Sequence, residues 1–149
     1  MKSKILKIFS FSIIGLFFLT SCKGNQNEKL SQDLPETHTD GIEVIYFFGK
    51  QRCSTCVAME KFAKEAVDSA FKDKIKDGAI VFKSVDITTP DGENIADQFE
   101  VTSSSLYIVN NNPAKPEKID MTAFGFRNAR NNRHIYKQGI IDQINKFLE

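Results

Sequence analysis

The chain has 149 residues, a formal net charge of +1 and 41% hydrophobic residues. That is enough for one domain with a real core. The near-neutral balance offers no basic excess for nucleic acid, and the apolar, uncharged run Ile8 to Leu19 is too short to span a bilayer as a stable helix. Lys2, Lys4 and Lys7 precede that stretch. A basic start and a short apolar run predict a signal peptide over residues 1–21.

The stretch ends in Leu19-Thr20-Ser21-Cys22. This resembles the lipobox of bacterial lipoproteins, an apolar residue three positions before a small residue and Cys. The resemblance implies cleavage before Cys22 and lipidation of its thiol and new amino group. Membrane contact would then be through that lipid, in the bacterial cell envelope and facing the periplasm. Removing residues 1–21 leaves 128 residues with 17 basic and 19 acidic side chains, a formal charge of −2. With Cys22 lipidated, the other two of three cysteines, Cys53 and Cys56, are left as a pair. The envelope is oxidising, so that pair must be kept reduced by a donor or rest as a disulfide.

Lys23 to Gly41 is polar, with Leu30 and Leu34 as its aliphatic residues. With Cys22 it reads as a flexible tether over 22–41, reaching on the order of 25 Å as a coil. His38 in it reads as solvated. The domain is expected over 42–149.

Glu43 to Phe48 predicts a central strand, apolar nearly throughout. Cys53 to about Phe71 predicts a helix: Cys56, Met59, Phe62, Ala63, Ala66, Val67 and Ala70 share one face at period 3.6. Lys72 to Gly78 reads as a charged turn, and Ala79 to Ile87 as the second strand. Thr89-Pro90-Asp91 is a helix start with cap, proline and first-turn acid. That helix would run to about Phe99 with Ile95 and Phe99 inside, although Gly92 is a weak helix former. Leu106 to Val109 is the third strand, Asn110 to Pro116 a hairpin-like turn, and Glu117 to Met121 a fourth strand. Ile135 to Leu148 is the last helix, with Tyr136, Ile140, Ile141, Ile144, Phe147 and Leu148 as its stripe.

Strand, turn, and then Cys53-Ser54-Thr55-Cys56 at a helix start make the stretch that carries chemistry. Unpaired N–H groups at a helix N-terminus favour a thiolate, the form that attacks. Arg52 and Lys50 add positive charge and are expected to tune Cys53. Cys53 would attack a disulfide, and Cys56, one turn further in, would resolve the mixed disulfide. Two other readings stay open: a two-thiolate site for a soft metal or metalloid ion such as arsenite or cuprous copper, and a structural disulfide, which so short a loop makes weak.

The order β-α-β-α-β-β-α, with one βαβ unit and a closing hairpin, predicts an α/β fold with a central four-stranded mixed sheet flanked by helices. Over residues 42–149 it resembles the thioredoxin superfamily. Val44 to Phe48, Arg52 to Glu60, Lys118 to Phe126 and Ala129-Arg130-Asn131 are similar to small bacterial proteins of the ArsF family, also called "nitrophenyl compound nitroreductase subunit". That likeness implies a link to arsenic-resistance loci and reductive chemistry.

Departures from ordinary thioredoxin bear on the site. Arg-Cys-Ser-Thr-Cys lacks the usual Trp before it and Gly-Pro inside it. Phe47 stands where thioredoxins bury an Asp, leaving Glu43 and Glu60 as candidate proton acceptors for Cys56. The resemblance places a cis-proline loop just before Leu106, where this chain has Ser103, Ser104 and Ser105; Ser104 and Ser105 are its expected equivalents. Ala123 to His134 is long for a turn into a helix and basic at Arg127, Arg130, Arg133 and His134. It reads either as an anion or partner site, since arginine forks suit oxyanions, or as a solvated approach with Phe124 and Phe126 in the core. The expected function is a lipid-anchored envelope thiol–disulfide oxidoreductase, needing no cofactor beyond its redox-active disulfide and acting on an envelope redox protein or dithiol substrate. The alternative is dithiol binding of a soft ion.

Overall fold

β1, Ile42–Phe48, forms where β-branched and aromatic residues run together. The computed structural model describes residues 40–149; the expected signal peptide, Cys22 and the tether as far as residue 39 lie outside the described residues. After β1 come α1 (Ser54–Ala70), α2 (Lys72–Lys76), β2 (Ile80–Asp86), α3 (Pro90–Gln98), β3 (Ser105–Asn110), β4 (Glu117–Asp120), α4 (Thr122–Asn128) and α5 (Arg133–Leu148). The four strands lie in the order β2-β1-β3-β4. β1 pairs in parallel with β2, Phe48 facing Asp86, and antiparallel with β3, Phe47 facing Ser105. β4 runs antiparallel to β3. The expected mixed four-stranded sheet is present, with β1 inside it and covered on both faces.

The pleat of β1 sorts its side chains between two cores. Val44 and Tyr46 join Met59, Phe62, Ala63, Tyr136, Ile140 and Ile144 under α1 and α5. Ile45 and Phe47 join Val85, Ala96 and Val101 on the α3 side.

Several expectations need correction. Ala70 is exposed, because the helix ends there and Phe71 takes the buried place, its N–H bonding to the Val67 carbonyl. Lys72–Lys76 is a short helix rather than a turn. Ile95 is exposed, and α3 instead turns Gly92 and Ala96 inward. Gly92 explains the rotation: a Cβ there would lie 1.9 Å from the Asp86 carbonyl oxygen. The residue that weakens the helix signal is the one that lets the helix sit against the end of β2. The first half of the Ala123 to His134 stretch, expected as an approach to the last helix, lies in α4, and α5 begins at Arg133 rather than Ile135. Phe124 packs against the core, its ring 6.1 Å from that of Tyr136, but Phe126 is 46% exposed. Leu148, near the end of α5, is exposed as well.

Candidate redox site

Cys53 and Cys56 sit where β1 gives way to α1, and they form a disulfide with Cα atoms 5.1 Å apart. Cys53 is the N-cap of α1 in extended backbone geometry, and its sulfur accepts from the Cys56 N–H at 3.1 Å. Its carbonyl accepts the Val57 N–H at 3.0 Å, opening the helix ladder. Cys53 is exposed and Cys56 buried. The first turn of α1 holds no acidic residue, so nothing there opposes an anion on Cys53. The outer cysteine of the pair is open to solvent and the inner one is covered.

Two buried phenols hold this turn from below. Tyr46 donates to the Cys56 carbonyl at 2.8 Å, and Tyr136 of α5 donates to the Met59 carbonyl at 3.0 Å. Burial holds the Tyr136 phenol well above its ordinary value, with Tyr46 adding to the shift, so it stays a donor far into alkaline solution. Sequence reading missed both roles. The signal was available: Tyr46 alternates with Ile45 and Phe47 onto the α1 face, and a buried phenol needs a partner.

Arg52 is committed elsewhere than the sulfurs. Its guanidinium pairs with Glu60 on α1 and lies over the rings of Phe48 and Tyr46, 4.7 and 5.6 Å from their centroids. Its Nε is buried without a hydrogen-bond partner, as expected where a guanidinium lies on rings. Burial works against its charge, but Glu60 and Tyr46 together outweigh that and keep it above its ordinary value. The second Glu60 oxygen accepts from the Ser84 hydroxyl at 2.6 Å. Lys50 is exposed. Its charge acts on Asp86, whose carboxyl lies below its ordinary value chiefly because the N–H and hydroxyl of Thr88 donate to it.

Phe47, at the position of the missing acid, belongs to the α3 side, 5.2 Å from the Phe99 ring and 6.0 Å from that of Tyr107. Glu43 shares that side and pairs with Lys83 at 2.8 Å, at the opposite end of β1 from the cysteines. Glu60 is taken by Arg52 and Ser84. Ser104 and Ser105 are buried, and pairing of Ser105 with Phe47 brings their loop to the end of the sheet where the cysteines lie. The Ser105 hydroxyl donates to the Ser103 carbonyl at 3.1 Å.

Among the described residues, no cluster of three or more His, Cys, Asp or Glu side chains could hold a metal ion. His134 lies exposed in the first turn of α5. Arg133, beside it, stacks over Phe62 at 4.7 Å.

No family model and no curated protein matches the chain. Solved structures do. A structure of human ERp44 (form I) matches at TM-score 0.50 and 16% identity over 72% of this chain and 25% of that one, so the chain spans a quarter of ERp44's length. A malarial protein matches at TM-score 0.47 and 19% identity over 73% of this chain and 99% of that one. A thioredoxin from Thermus thermophilus matches at 0.47 and 16% over 72% and 74%. At such identities the ERp44 likeness bears on fold alone. With the mixed sheet and the helices on both of its faces, it makes the fold of this chain thioredoxin-like.

Proposed function

We propose that the protein is a thiol–disulfide oxidoreductase working through Cys53 and Cys56. The observation that carries this reading is the pairing of an exposed N-cap cysteine with a buried one a turn inside the same helix. In the reduced state the Cys53 thiolate attacks a partner disulfide. One partner sulfur leaves as a thiolate, takes a proton and is reduced. Cys56, as a thiolate, then attacks Cys53 in the mixed disulfide and frees the second partner sulfur. Two electrons pass to the partner, and the chain ends in its disulfide form. A donor dithiol protein restores the thiols.

The lipobox-like Leu19-Thr20-Ser21-Cys22 supports a lipid anchor on Cys22 and a place in the cell envelope, with an envelope dithiol or disulfide protein as partner. The likeness of Arg52 to Glu60 and Lys118 to Phe126 to ArsF-like proteins supports a reductive direction of flow.

Equilibrating the pair with glutathione and tagging free thiols tests the reading. A potential between roughly −270 and −120 mV supports exchange work, and Cys53→Ser with Cys56→Ser should abolish exchange. Activity surviving the double change would sink it. So would stoichiometric protection of both reduced thiols by arsenite without any exchange, which would move the pair to ion binding.

A further inference from the structure

Between Asp120 and Asp142 the chain has no acidic residue, while Arg127, Arg130, Arg133, His134 and Lys137 fall inside that span. Lys137 reaches Glu65 at 3.6 Å and Arg133 stacks on Phe62. Among the described residues, Arg127 and Arg130 form no ion pair; Arg127 Nε donates to the Ala123 carbonyl at 3.3 Å. Apolar groups share this corner between α4 and α5. Phe126 is 46% and Ile135 53% exposed. Ile135 lines a groove of about 350 Å³ together with Phe124, His134, Gln138, Gly139 and Asp142. Unpaired arginines among exposed aromatic and aliphatic side chains are the composition of an interface core, not of a solvated face.

The start of α4 belongs to the dithiol end of the molecule, and the corner follows from it along α1. α4 is stitched to the start of β3: the Leu106 N–H donates to Thr122 Oγ1 at 3.0 Å, and the Met121 N–H to the Leu106 carbonyl at 2.8 Å. β3 starts beside Phe47, where β1 runs out towards Cys53. α4 then passes directly over α1, for a Cβ on Gly125 would lie 2.6 Å from Met59 Cε. Met59 is one helical turn beyond Cys56.

We propose that the α4–α5 corner is the partner-docking surface of this dithiol, and that it takes a protein segment bearing acidic and apolar residues beside its disulfide. The inference rests on the oxidoreductase reading and adds the class of substrate. Arg127 and Arg130 meet the partner's carboxylates, Phe126 and Ile135 its apolar side chains. Local positive charge raises the encounter rate with such a disulfide, and salt screens it.

A single-turnover experiment on the reduced, desalted chain tests this with two disulfide peptides that differ in flanking residues, Asp and Phe in one, Lys and Phe in the other. At low salt the acidic peptide should be reduced about tenfold faster. The ratio should fall towards one as salt rises, and Arg127→Glu with Arg130→Glu should reverse it. The salt series needs no variant, so misfolding cannot mask the answer. Equal rates at low salt would overturn the docking inference and leave the oxidoreductase reading standing. Reduction of neither peptide would overturn both. Equal peptide rates together with salt-sensitive binding to phosphatidylglycerol vesicles would assign the corner to lipid and overturn it too.

Discussion

Arg52 and Arg130 carry the same guanidinium and meet opposite fates. Arg52, next to Cys53 in sequence, is laid over Phe48 and Tyr46 and paired with Glu60, which Ser84 holds in turn. Arg130, far away in sequence, has no carboxylate near it in the chain and stands exposed on a corner that packs against α1. At the β1–α1 junction the Arg52 charge is therefore already met inside the molecule. The α4–α5 corner holds the charge that is free to act on something else. Nearness in sequence to Cys53 does not decide which arginine is left free to pair outside the chain.

The contrast can be broken at its hinge first. Gly125→Val puts atoms into the fully buried Met59 and should cost about 1–3 kcal/mol by denaturant titration. An unchanged midpoint would mean that the corner does not depend on close packing of α4 against α1.

Removing one phenol from the β1–α1 side should cost less. Tyr136→Phe leaves the Met59 carbonyl without its second donor and should cost about 1 kcal/mol. It should also change the alkaline limb. The folded phenol lies above its ordinary value, so its contribution to stability is intact below about pH 10 and is lost as pH rises past it. Stability of the parent should fall above that point, and Tyr136→Phe should flatten the slope. An equal slope in both would place the titration elsewhere.

The smallest effects sharpen the contrast itself. Both partners of the Arg52–Glu60 pair keep about a quarter of their side chains exposed, at 25% and 24%. After discounting for that exposure, Glu60→Gln should cost about 1 kcal/mol. It should also release the guanidinium and speed alkylation of Cys53 severalfold at neutral pH. Arg130→Ala should shift stability by less than about 0.5 kcal/mol. Equal costs for the two would erase the difference between a committed and a free arginine.

Much of this was legible beforehand. The apolar run of β1, the Thr89-Pro90 start of α3 and the 3.6-residue period of α1 are local patterns, and they yielded the strands, the longer helices and the placing of Cys53 at a helix start. α4 was not legible, because Gly125 lowers its helix propensity and its reason for existing is a contact with Met59 on another element. The inward face of α3 failed for a similar cause. Ile95 is the more apolar residue, but the close approach of Gly92 to Asp86 sets the rotation.

The sequence by itself determined the paired thiols, their order along the helix and the apolar strand that leads to them, since these follow from covalent order and short-range periodicity. Tertiary structure alone decided that Glu60 and two aromatic rings take up Arg52, that Tyr46 and Tyr136 hold the start of α1, and that the basic segment lies over α1. Charge pairing and buried hydrogen bonds depend on distance in space, and the chain sets that distance only by folding.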